Sequence, residues 1–136
     1  MNMTATASER LLIVVYGTRD PTVADWQWFL KFIEGHGVVK TQHLIYTDGG
    51  APSFAQRRQL RALIAGRRVP TAVVCDSFRV RVVLTVLSWI DSSIKPFPPS
   101  GLVDALEFLE VPMSRFGLIT REVEKLRRKL EQEYDA

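Results

Sequence analysis

Leu11-Leu12-Ile13-Val14-Val15-Tyr16-Gly17 is the stretch that decides the fold. Six mostly β-branched or aliphatic residues closed by a glycine read as a strand rather than a helix. Both of its faces are apolar, so the strand belongs in a parallel sheet covered on each side. Asp20-Pro21-Thr22 follows with helix-start chemistry: Asp20 or Thr22 can accept from free backbone N–H groups, and Pro21 loses no needed donor in the first turn. Thr22 and Asp25 also have capping-box spacing. The helix is expected to run to about Glu34, with Trp26, Phe29, Leu30 and Ile33 on one stripe and Gly35 or Gly37 as its stop.

Outward from there the same unit recurs. His43-Leu44-Ile45-Tyr46-Thr47 is a second strand, ended by Asp48-Gly49-Gly50, and Ser53 with Gln56 makes a capping box for a helix lined by Leu60, Leu63 and Ile64 and stopped by Gly66. Pro70 introduces a third strand, Thr71-Ala72-Val73-Val74-Cys75. Asp76-Ser77 then caps a helix carrying Val80, Val83, Leu84, Leu87 and Ile90. Ile94-Lys95-Pro96-Phe97 reads as an edge strand, because proline cannot donate to a central ladder. Ser100 is placed to cap a fourth helix to about Glu110. Strand and helix alternate four times in units of about 30 residues, the pattern of right-handed crossovers. The expected fold class is therefore α/β: a mostly parallel four-stranded sheet covered by helices, formed by residues 11–111.

Two segments flank that domain. Residues 1–10, polar and without an apolar run, read as a disordered lead-in. Pro112 marks a boundary, beyond which residues 114–134 form a densely charged, mostly exposed helix. Ile119, Val123, Leu126 and Leu130 fall at 4-3-4 spacing on it, a short coiled-coil seam. That seam would pair with a second copy or a partner, making the chain a homo-oligomer through this helix, or fold back over its own sheet. Glu124 and Arg128 support the helix in either case.

Composition narrows the function. Hydrophobic residues at 46% against charged residues at 24% make an ordinary globule rather than a disordered chain. A membrane span needs about 20 apolar residues, and the longest run here has six. A single cysteine allows no internal disulfide, and the N-terminus lacks an export-signal layout, so the expected location is cytoplasmic. The net charge of +3 is uneven: residues 53–81 carry seven arginines against Asp76, and the remainder of the chain is net negative. A basic middle segment suits nucleic acid, an acidic partner or a phosphate as well as a solvated helix face. The arginines lack interleaved aromatics, which argues against single-stranded nucleic acid. Trp26 and Phe29 read as sheet-covering residues, while Trp28 points away from their stripe and is a candidate partner anchor.

If the strands are parallel, their exit loops gather on one rim. That rim would hold Thr18, Arg19, Thr47, Asp48, Gly49, Gly50, Ser53, Asp76 and Ser77, each loop leading into a helix N-terminus that favours an anion. The same residues also serve as caps and turns, and a cap competes with a ligand for the same N–H groups. Catalysis is poorly supported. A nucleophile needs a base in reach, yet His36 and His43 fall away from the rim and Cys75 ends a buried strand. Neither a Gly-Lys-Ser/Thr phosphate loop nor Gly-x-Gly-x-x-Gly is present. Asp48 with Asp76 is the weakest candidate, for a divalent ion. No cofactor and no metal are expected.

The order of elements, together with Tyr46-Thr47-Asp48-Gly49-Gly50-Ala51-Pro52-Ser53, Val73-Val74-Cys75-Asp76-Ser77 and Ile94-Lys95-Pro96-Phe97, resembles the SpoIIAA-like or STAS-like domains of bacteria, which include anti-sigma factor antagonists. The resemblance spans residues 10–111. It implies a regulatory signalling module that binds a protein partner (a regulator, a kinase or a second copy) without catalysis. In the antagonists a serine at the start of the helix after the strand is phosphorylated, usually within Asp-Ser-Ser-Gly. The matching loop here offers Ser53 and Thr47. Many members begin with an extra strand, which the reading of residues 1–10 leaves out. The related lipid-carrying fold makes a carrier of nucleotide, lipid or anion the alternative.

Overall fold

The computed structural model describes residues 1–36, 42–64, 67–76, 78, 80, 81, 84 and 93–135. Five strands, β1 (Met3–Ser8), β2 (Leu11–Tyr16), β3 (Gln42–Thr47), β4 (Thr71–Cys75) and β5 (Ile94–Phe97), form one sheet in chain order. β2, β3, β4 and β5 are parallel, and β1 is antiparallel to β2. The helices are α1 (Val23–His36), α2 (Phe54–Leu63), α3 (Leu102–Phe108) and α4 (Phe116–Asp135), with 3-10 turns at Pro99–Gly101 and Met113–Arg115. Residues 78, 80, 81 and 84 are helical between β4 and β5. Val83, Leu87 and Ile90 lie outside the described residues, as do Gly37 and Gly66.

Alternation along β2 divides the molecule into two cores. Leu12, Val14 and Tyr16 pack with Met3 and Ala5 of β1 and with Trp26, Phe29 and Ile33 of α1. Leu11, Ile13 and Val15 face the other way, joining Leu44, Tyr46, Ala72 and Val74 under α3 and α4. The uniformly apolar strand thus has both faces buried, as its composition requires.

Three expectations need correction. The lead-in is ordered: β1 pairs with β2 from Met3 opposite Tyr16 to Ser8 opposite Leu11, turning through Glu9, whose φ is 54°, and Arg10. Small and polar residues hide the signal, but Met3, Ala5 and Ala7 alternate along the strand and face the core shared with α1, and Thr4 between them is buried as well. Among the described residues the sheet therefore has five strands, not four. The last helix is not an exposed appendage. Ile119, Val123, Leu126 and Leu130 are buried in the second core, so the seam is spent on the chain's own sheet and is not available to a partner. Arg115 fastens this region to the β1–β2 hairpin through Ser8 Oγ and Glu9, the latter at 3.1 Å. Finally, Ser100 lies inside the Pro99–Gly101 turn and makes no cap; α3 starts after Gly101 without a side-chain cap bond. Pro96 sits on the edge strand, as its missing N–H demands.

α1 starts with the anticipated box. Thr22 Oγ1 accepts from Asp25 N at 3.1 Å, and the Asp25 carboxylate accepts from the N–H groups of Thr22 and Asn2, both at 3.0 Å. Burial on its own raises the Asp25 pKa, but the hydrogen bonds from Thr22 and Asn2 and the nearby N-terminal ammonium outweigh it and hold the carboxyl below its ordinary range. A lowered folded-state pKa gives stability that is fully present above the ordinary carboxylate value of about 4 and is lost as pH falls through the folded value. Asp25→Asn is accordingly expected to cost about 1 kcal/mol at pH 7 and less in acid. Urea midpoints at neutral pH and near pH 3 check this, and an equal deficit at both would contradict it.

Candidate functional site

The exits of β2 and β3 are clipped into one rim by the backbone. Asp48 N donates to Tyr16 O at 3.2 Å, and Gly50 N donates to Gly17 O at 2.9 Å. Asp20 caps no helix; its Oδ1 accepts from Ala51 N at 3.0 Å, tying one exit loop to the next. Gln56 Nε2 donates to Pro21 O at 3.5 Å, bringing the start of α2 to the start of α1. Within the β3 loop, Thr47 Oγ1 donates to Gly50 O and accepts from Gly49 N at 3.0 Å. Gly50 is required by space: a Cβ there would stand 2.2 Å from Arg19 O and 2.9 Å from Gly17 O. Gly49 has φ 133°, a backbone that L side chains rarely adopt.

The rim's residues differ in what they can still do. Thr18, Arg19, Gly49, Ser53 and Asp76 are exposed. Thr47 is only 5% exposed and its hydroxyl is engaged, so the second candidate phosphosite is corrected: a kinase cannot reach it without unmaking the loop. Ser53 is the N-cap of α2, its Oγ accepting from Gln56 N at 3.1 Å while Gln56 Oε1 accepts from Ser53 N at 2.9 Å. Both boxed helix starts fill their own donors in this way, which weakens them as anion sites. Ser77 lies outside the described residues. After β4, Arg81 Nη1 donates to Cys75 O at 3.2 Å, and Cys75 itself is buried.

Asp48 is answered by a residue the sequence reading missed. Arg127 of α4 reaches the rim, its Nη2 3.2 Å from Asp48 Oδ1 and its guanidinium 4.5 Å from the centre of the Tyr46 ring. Arg127 stands four residues after the buried Val123 and beside Leu126, at the border of the buried stripe. Nothing in the sequence says which strand end that border meets. Burial raises the Tyr46 pKa, with Arg127 opposing and Asp48 reinforcing the shift. Among the described residues no three His, Cys, Asp or Glu side chains come together as a metal site.

The two histidines lie away from the rim. His43 is in β3 near its start, and His36 ends α1, its ring stacked 4.1 Å from Phe32, which in turn stacks 5.4 Å from Trp28. Trp28 is 36% exposed, in keeping with its place off the Trp26 stripe. A further feature escaped the sequence reading. Val23, Phe54 and Phe78 are 72%, 68% and 71% exposed, and each sits at the start of the helix that follows β2, β3 or β4. Parallel strands put all three helix starts at the same end of the sheet, so the rim is edged with exposed apolar side chains as well as charges.

No family model, curated protein or solved structure matches this chain. No helix among the described residues is long and apolar enough to cross a membrane.

Proposed function

We propose that the chain is a non-enzymatic regulatory module that binds a partner protein through the rim formed by the exits of β2, β3 and β4, in the manner of STAS-like anti-sigma factor antagonists. The carrying observation is the exposed apolar trio Val23, Phe54 and Phe78 at the end of the sheet where backbone hydrogen bonds pin the β2 and β3 exit loops together. Large exposed apolar side chains grouped around a rigid polar edge suit protein docking, and a preorganised surface loses little entropy on binding. The STAS-like reading gains support from β1, since the extra N-terminal strand usual in that family is present after all. Ser53 is the candidate switch: it is exposed, at the rim, and begins the helix after β3. A phosphate there would add about two negative charges beside a docking surface.

Affinity capture from the native cell with the full chain and with Ser53→Asp tests both parts. Aspartate caps as well as serine, so the variant is expected to melt with the wild type. The wild type is expected to recover a discrete protein partner and Ser53→Asp to recover it several-fold less. Equal recovery would remove the switch. Recovery of a nucleotide or lipid in place of any protein would favour the carrier reading.

A further inference from the structure

α2 is built unlike α1, α3 and α4. None of its residues is buried, and only Leu60 and Leu63 pack partly onto the core shared with α1. Its outward side is continuous: Phe54, Arg57, Arg58 and Arg61 stand at i, i+3, i+4 and i+7 and therefore share a face. All four are exposed, and the Arg58 guanidinium lies 5.7 Å from the centre of the Phe54 ring. Arg57, Arg58 and Arg61 form no ion pair with any described residue. The local sequence offers none either, because residues 49–75 hold five arginines and no acid.

This arrangement works against the helix itself. Like charges at i,i+3 and i,i+4 each cost a few tenths of a kcal/mol. The first turn carries no acid where the helix dipole would favour one. A helix that only closed a crossover would gain from an acid paired among these arginines; Arg61 alone, in the last turn, is favoured by the dipole. The row therefore holds repulsion that an acidic surface would relieve on contact. Phe54 begins it at the rim, where Gln56 Nε2 reaches Pro21 O at the start of α1.

We infer that the outward face of α2 is the docking strip for an acidic protein segment, whose carboxylates meet Arg57, Arg58 and Arg61 and whose apolar side chains rest on Phe54. The inference rests on the protein-docking reading of the rim and names the chemistry of the partner. A protein segment fits better than a nucleic acid or an anionic membrane because Asp20, Asp48 and Asp76 stand on the same rim. A phosphate backbone or a lipid surface presents negative charge throughout and would meet those carboxylates. A peptide can place its acids over α2 alone.

The test is selection of displayed random peptides on the full chain, followed by fluorescence polarisation with a selected peptide. Selected peptides are expected to combine Asp or Glu with apolar residues and to bind more weakly as salt rises. The Arg57→Glu/Arg58→Glu/Arg61→Glu variant is expected to bind at least about tenfold more weakly. The same variant keeps like charges at the same spacing on a face that buries nothing, so it is expected to melt close to the wild type, and lost binding would not reflect lost folding. Phe54→Ser is expected to weaken binding without changing its salt dependence. Peptide binding unchanged by the charge reversal would overturn the inference and leave the rim reading standing. A short DNA duplex, or phosphatidylcholine vesicles containing about 30% phosphatidylserine, bound in place of peptide and released by the same reversal would overturn both.

Discussion

Ile119→Ala is expected to lower the unfolding free energy by about 3 kcal/mol, and Ile119→Asp to leave the chain unfolded at room temperature. Ile119 is fully buried between α4 and the sheet, in the same cluster as Ile13, Val15, Leu44 and Leu106. Truncation there removes apolar contact and leaves a cavity that flanking strands cannot collapse to fill. An aspartate would bury a charge with no partner in that cluster, a cost comparable to the whole stability of a small domain. The adjacent Leu118 is 44% exposed, and Leu118→Ala is expected to change stability by less than about 0.5 kcal/mol. Urea unfolding of the two alanine variants makes the comparison. If Ile119→Ala altered only the oligomeric state seen by light scattering and left the midpoint in place, the helix would be an association seam and not a wall of the core.

Gly50→Ala is expected to be the most damaging change at the rim, at about 3 kcal/mol. The added Cβ would stand 2.2 Å from Arg19 O, 2.8 Å from Arg19 C and 2.9 Å from Gly17 O, all backbone atoms that no rotamer change can clear. Relief requires the β2 and β3 exits to part, which sacrifices the Gly50 N to Gly17 O bond and the clip from Asp20 to Ala51. Overpacking costs 1–3 kcal/mol and a lost buried hydrogen bond about 1 kcal/mol more. Gly117→Ala is the control. A Cβ there has nothing within 4 Å, and the substitution is expected to stabilise α4 by about 0.5 kcal/mol through the unfolded state. Thermal melts of the two variants should move in opposite directions. Equal melting temperatures would mean that the exits are not held together as described.

The fold was legible where one physical demand dominated the local sequence. Residues 11–16 could only be a buried strand, the Thr22–Asp25 and Ser53–Gln56 boxes announced two helix starts, and Pro96 assigned β5 to an edge. Their exit loops do meet at one rim, as parallel pairing requires. The readings that failed concern where amphipathic pieces spend their apolar faces. Met3 and Ala5 were too small a signal to claim β1, although Glu9 and Arg10 leave a two-residue turn before β2. The stripe of Ile119, Val123, Leu126 and Leu130 carries the same spacing whether it meets a second copy or its own sheet. Only the count of uncovered strand faces decides, since the helices that follow β2 and β3 take one side and the other needs α3 and α4. Arg127 at the rim follows from that placement and was invisible without it.

The measurement that bears most directly on the account is hydrogen–deuterium exchange of the full chain, alone and with the protein partner recovered by affinity capture. Slowed exchange is expected at residues 17–20, at 47–53 and along α2, with α4 unchanged. Slowing confined to α4 or to the β1–β2 turn at Glu9 and Arg10 would contradict it, because the partner would then sit away from the rim.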